Sequence, residues 1–135
     1  MKLVIDFDGT LVHHSYPKIG DWVPGAKEAL LEFQRLGAKL FLWTVRSNKQ
    51  KSGLLALKAA QEFLEDAGIF MDGCIEDPET NDYFGGPKID ADIVIDDKNF
   101  GCPMIWQADG TGYVDWSRIT PVIVAELKRR KKRGK

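Results

Sequence analysis

The chain has 135 residues, 44% of them apolar and 29% charged, which suits one globular domain with a sizeable core rather than a disordered or fibrous chain. No apolar run reaches the about 18 residues of a membrane-crossing helix, and the N-terminus lacks the long apolar stretch of a signal peptide, so a cytoplasmic location is expected. The net charge of -1 hides a division, because residues 128–135 hold seven of the 19 basic residues and leave twelve against 20 acids, a body of about -8.

Residues 2–6 read as a buried strand that stops at Asp6-Phe7-Asp8-Gly9-Thr10. Positions i and i+2 of a strand share a side, so both carboxylates can approach one site. Residues 9–23 are a loop with Gly9, Pro17, Gly20, Tyr16 and Trp22. From Pro24 to Gly37, apolar residues at helical spacing lie between a proline near the start and a glycine past the end, which predicts a helix. Lys39 to Thr44 is a second buried strand, and Ser47 or Asn48 is placed to cap a long helix that runs to Ala67 and stops at Gly68. A short third strand is expected at Gly73 to Glu76, a loop at Asp77 to Pro87, a fourth strand at Ala91 to Ile95, and a turn from Asp96-Asp97. Met104 to Trp106 is a candidate strand and Asp109 to Gly112 a turn, and Ser117 caps a final helix running into the basic tail. Cys74 and Cys102 lie far apart without metal-ligand spacing and read as two reduced thiols.

Near-continuously apolar strands alternating with helices predict an α/β fold: a single Rossmann-like domain over residues 1–127, with a parallel sheet and helices on both faces. Residues 128–135 form a separate basic tail. In such sheets the ligand site lies beyond the carboxyl ends of the strands, near a topological switch point. That rule gathers Asp6 and Asp8 from the first strand, Thr44 from the second, and Asp96 and Asp97 from the fourth, with Lys88 just before it.

Two carboxylates this close need a cation, a shared proton or a bound substrate to offset their repulsion. Magnesium suits hard oxygen ligands, and no histidine or cysteine cluster competes. A phosphate monoester resists attack because its oxygens are anionic, so an enzyme must neutralise them and bring a nucleophile in line with the leaving oxygen. An aspartate can attack to give an aspartyl phosphate, and a second acid beside it, a role that Asp8 fits, can protonate the leaving alkoxide and then activate water. Thr44 and Lys88 can hold the phosphoryl oxygens while Asp96 completes a metal site.

In these residues the chain resembles the haloacid dehalogenase-like hydrolases. The first motif of that family matches Asp6-Phe7-Asp8-Gly9-Thr10, its second Thr44, its third Lys88, and its fourth the acids of Ile93-Val94-Ile95-Asp96-Asp97, all in order over residues 1 to about 100. The resemblance implies a magnesium-dependent phosphatase in which Asp6 is the nucleophile and Asp8 the general acid/base. It also implies that magnesium is held by Asp6, the main-chain carbonyl of Asp8, and Asp96, with Asp97 assisting. The 35 residues from Asp8 to Thr44 and the loop at 77–87 are too short for a cap domain. The chain is therefore similar to the capless members, whose open sites admit small or macromolecular phosphorylated substrates.

Several residues keep two readings. Lys98 follows the acid pair and competes with Lys88 for the phosphate; Asp97 is a ligand or a turn cap; Arg46 binds a second phosphate or carboxylate of the substrate, or is a surface arginine. His13 and His14 read as exposed loop residues. Tyr16 and Trp22 either stack on a base or sugar or pack the loop against the body, with packing preferred, and Trp43 reads as core. Trp106 and Trp116 receive no role. Two other classes compete with the phosphatase: a signalling receiver domain, disfavoured because here the acid pair comes last, and a non-catalytic regulatory protein of the same fold that contacts nucleic acid or another polyanion through its tail. A tail that guides polyanions into an open site would favour macromolecular substrates.

Overall fold

The computed structural model of the chain describes residues 1–75, 83, 85–86 and 88–134. Four parallel strands, β1 (Lys2–Ile5), β2 (Lys39–Leu42), β3 (Gly73–Cys74) and β4 (Ile93–Ile95), form a sheet in the order β3-β2-β1-β4. Among the described residues the helices with defined bounds are α1 (Ala26–Arg35), α2 (Ala56–Asp66) and α3 (Trp116–Arg133). A separate antiparallel hairpin pairs β5 (Met104–Trp106) with β6 (Gly112–Val114). No helix among the described residues is long and apolar enough to cross a membrane.

Register explains the core. Leu3 pairs with Leu40 and Ile93, and Ile5 with Leu42 and Ile95, so these side chains share one sheet face. That face is buried under Ala29, Leu30 and Phe33 of α1, Ala60 and Leu64 of α2, and Ile123 and Leu127 of α3. Right-handed crossovers from β1 to β2 to β3 move in one direction, which places α1 and α2 on the same side. On the other face Val4 and Phe41 pack with Ile89 and Ala91 from the connection between β3 and β4. Helices on both faces were expected; among the described residues all three lie on one. Glu76, nearly all of the loop expected at 77–87, and Lys135 lie outside the described residues.

Four local expectations change. The second helix starts at Ala56 rather than beside Asn48, because the chain turns first at Gly53 (φ +83°), which returns it over the sheet. Asn48 still caps that helix through space, its Oδ1 accepting from the Lys58 amide at 2.9 Å, while Ser47 Oγ closes a local turn on the Lys49 amide. The cap of α3 is Asp115, which accepts from the Ser117 amide, and not Ser117 itself. Trp43 is 40% exposed because it sits past the end of β2 and on the thinly covered face.

The expected tail is also not separate, since α3 continues through Arg133. Its first turn lies at the carboxyl ends of the strands, where Trp116 Nε1 donates to the Thr10 carbonyl at 2.8 Å. Its last turns lie at the opposite end of the sheet, where Arg130 meets Asp92, the residue before β4, at 3.3 Å. An 18-residue helix spans about 27 Å. The basic run is therefore directed away from the strand ends that carry the acids, and it is not placed to guide a polyanion to them.

Candidate active site

Between β1 and β4 the strand order reverses, which makes this the switch point of the sheet. Asp6 leaves β1 there and Asp96 and Asp97 leave β4, and one carboxylate oxygen from each lies within 4.8 Å of the others. The Asp6 amide still donates to the Ile95 carbonyl at 3.0 Å, so the two strand ends hold the acids at a fixed separation. Thr10, fully buried, locks the cluster: its Oγ1 donates to Asp6 Oδ2 at 2.9 Å and accepts from the Asp97 amide at 3.1 Å. The Trp116 indole in turn fixes the Thr10 carbonyl.

The loop from Gly9 to Val23 folds back over this end of the sheet. Val12 bridges Trp22, His13 donates its amide to the Asp21 carbonyl, and Trp22 packs on Phe63 of α2. Gly9 has φ +84°, and a Cβ there would lie 2.2 Å from His14 Nε2 and 2.4 Å from Asp97 Oδ2, so only glycine admits this closure. His14 Nε2 stands 3.0 Å from Asp97 Oδ2, whose side chain is 4% exposed. His14 was expected as a plain loop residue; the structure gives it a partner in the acidic cluster. His13 packs edge-on against Tyr113 of β6.

Burial comes first, followed by the charge of Asp96, in pushing the Asp6 carboxyl from its ordinary 3.8 up to about 8, and a hydrogen bond shared with Asp97 acts the same way. The Thr10 hydroxyl and Phe7 amide oppose the rise by donating to the ionised form. Asp96 is raised as well, mainly by burial, against the amide and the charge of Lys98. The folded chain thus keeps a proton on Asp6 that the unfolded chain has already released, so folding binds more protons between about pH 4 and about pH 8. The Asp6 contribution to metal-free stability is therefore fully present below about pH 4 and is lost as pH rises to about 8. Melting temperatures across that range check this, and saturating divalent cation should remove most of the decline. A flat or rising profile in chelator would count against a proton held on Asp6 by the triad.

Asp8 does not join the triad. Its carboxylate faces Arg46, with Nε on Oδ2 and a terminal nitrogen on Oδ1, both at 2.8 Å. The other three guanidinium hydrogens go to the carbonyls of Pro17, Lys18 and Ala56. The guanidinium also lies 5.1 Å from the ring centres of both Phe7 and Tyr16. With its side chain 0% exposed and all five donors committed, Arg46 has none left for a substrate group. The expected substrate contact is replaced by a buried clamp that orients Asp8 and ties down the Tyr16–Lys18 segment. Tyr16 is half exposed and packs on this clamp.

Thr44 is half buried beyond β2, and its Oγ1 accepts from the Arg46 amide at 3.1 Å, which leaves its hydroxyl proton to donate. Lys88 is exposed and lines a cavity of about 400 Å³ on the other sheet face with Val4, Trp43, Ile89 and Val94. Of the two candidate lysines, Lys98 is the one whose amide, at 2.9 Å, and charge act on Asp96. The structure thus gathers Asp6, Asp96 and Asp97, with the Lys98 amide on Asp96, and holds Asp8 and Arg46 as a pair. Thr10, His14 and Trp116 complete the site. The Asp-Gly-Thr run pointed to Thr10, but nothing in the sequence marked the other two.

No family model and no curated protein matches the chain. The solved structure of a conserved protein from Bacteroides thetaiotaomicron is similar to it at 34% sequence identity with a TM-score of 0.73, over 93% of this chain and 91% of that one. At that identity and coverage, the chain belongs to the family of this conserved Bacteroides protein.

Proposed function

We propose that the chain is a magnesium-dependent phosphohydrolase that cleaves phosphate monoesters through an aspartyl phosphate on Asp6. The observation that carries this reading is the half-buried triad of Asp6, Asp96 and Asp97 at the switch point, with a second acid, Asp8, clamped beside it. Three clustered carboxylates offer hard oxygen donors, which fits magnesium. The cation would be held by Asp6, Asp96 and Asp97, and when bound it offsets the charge of the triad and of the phosphoryl oxygens.

Asp6 in its ionised form attacks phosphorus, and the bond to the leaving oxygen breaks as Asp8 supplies a proton to that oxygen. Asp8 then takes a proton from water, which attacks the aspartyl phosphate and releases inorganic phosphate with Asp6 regenerated. Each Asp8 oxygen accepts one bond from Arg46 and retains a second lone pair for this transfer. The Thr44 hydroxyl and a lysine, Lys88 or Lys98, would hold phosphoryl oxygens.

The test is hydrolysis of small phosphate esters under metal titration. Chelation should stop turnover, magnesium should restore it, and calcium should not, because its larger and looser shell misplaces the phosphoryl group. Asp96→Ala should raise the magnesium concentration for half activity by about tenfold or more, on the scale of losing one carboxylate ligand. Turnover in chelator, or an unchanged titration in that variant, would sink the metal assignment.

A further inference from the structure

We infer that the last two turns of α3 are a second anion site, a docking surface for the phosphate backbone of nucleic acid, separate from the acidic triad and facing away from it. Six consecutive residues, Lys128 to Arg133, are basic and helical. At about 100° per residue they place cations all round the helix. Intramolecular pairing takes up only part of this charge. Arg129, Arg130 and Arg133 share Glu126, and Arg130 also meets Asp92. Lys128, Lys131 and Lys132 have no acidic partner within 4.0 Å among the described residues.

Beside them, Arg35, Arg130 and Lys131 line a cavity of about 380 Å³ walled by Leu36 and Leu127. This cavity also touches Met1 and Gly37, which precede β1 and β2, and so it lies at the amino ends of the strands. The acidic triad lies at their carboxyl ends. The acidic triad and the basic run thus lie at opposite ends of the sheet.

A polyanion of regular spacing fits this surface better than a bilayer does. Lys128, Lys131 and Lys132 stand three and four positions apart and so share one helix face, which presents several cations together to the closely spaced phosphates of nucleic acid. Leu127 is the last apolar residue of α3 and is 4% exposed, so beyond it the helix presents no apolar face for insertion among lipids. Because the body carries about -8 without residues 128–135, a bound nucleic acid stays at the basic end and does not enter the acidic one.

The inference does not depend on the hydrolase reading, since binding is measured without turnover. Fluorescence anisotropy of a short labelled duplex with the full chain should show affinity falling steeply between about 50 and 200 mM salt. The triple variant K128E/K131E/K132E should bind at least about tenfold more weakly, with a salt slope shallower by about three. Its melting temperature and its hydrolysis of a small phosphate ester should match the unaltered chain. A duplex affinity unchanged in the variant, or a salt slope near zero in the unaltered chain, overturns the proposal. So does tighter binding to phosphatidylserine-containing vesicles than to duplex at equal salt, or duplex that competes with a small ester for the triad.

Discussion

Asp6→Asn is expected to reduce phosphate-ester turnover by more than about a thousandfold, because an amide cannot form the acyl phosphate that divides the reaction into two steps. The same change should make the metal-free protein more stable at pH 8. Asp6 is the group that burial and Asp96 hold neutral up to about pH 8, so an isosteric amide removes the cost of ionising it beside two other carboxylates. The fall in melting temperature between pH 4 and pH 8 should flatten with it. Activity and stability thus move in opposite directions, a combination that simple loss of folding cannot produce. Retention of more than about a hundredth of the normal rate would remove Asp6 from the nucleophile role, and a pH profile left as steep as before would place the raised proton on another group.

How much of this was legible beforehand depends on where the information sits in the chain. The sheet was readable because each strand is a short apolar run of which one face must be buried, and β1, β2 and β4 appear within a residue or two of where those runs lie. The triad was readable because the strand ends converge at the switch point of any such sheet, whatever the connecting segments do. Side-chain partners across the fold were not readable. Asn48 was correctly marked as a capping residue, but it caps from ten positions upstream after Gly53 redirects the chain. His14 reaches Asp97 over 83 positions and Trp116 reaches Thr10 over 106. Neither separation has a periodicity that sequence inspection could detect. The basic run at 128–133 looked like a solvated tail because its composition is that of one, whereas Ile123 and Leu127 anchor the helix that carries it.

Arg46 is where local reading and tertiary structure differ most, and its replacement should have the second largest effect. Arg46→Met removes all five donors at once and strands Asp8, whose side chain is only 12% exposed, opposite an apolar group, along with the carbonyls of Pro17, Lys18 and Ala56. Breaking a buried pair on one side costs about 3–5 kcal/mol, a large share of a small domain's stability. Urea unfolding should show this as a lower midpoint with little change in slope. Adding Asp8→Asn to that variant removes the stranded charge, so the double variant should be more stable than Arg46→Met alone, with a coupling of about 1–3 kcal/mol. Arg46→Lys keeps the charge but not the fork, so it should fold and still misorient Asp8. Its loss of turnover should be greater on alkyl phosphates, whose leaving group needs the proton, than on activated aryl phosphates, which leave without it. Equal losses on both esters would mean that the clamp serves the fold alone, and strictly additive unfolding energies would mean that Asp8 is not what Arg46 holds.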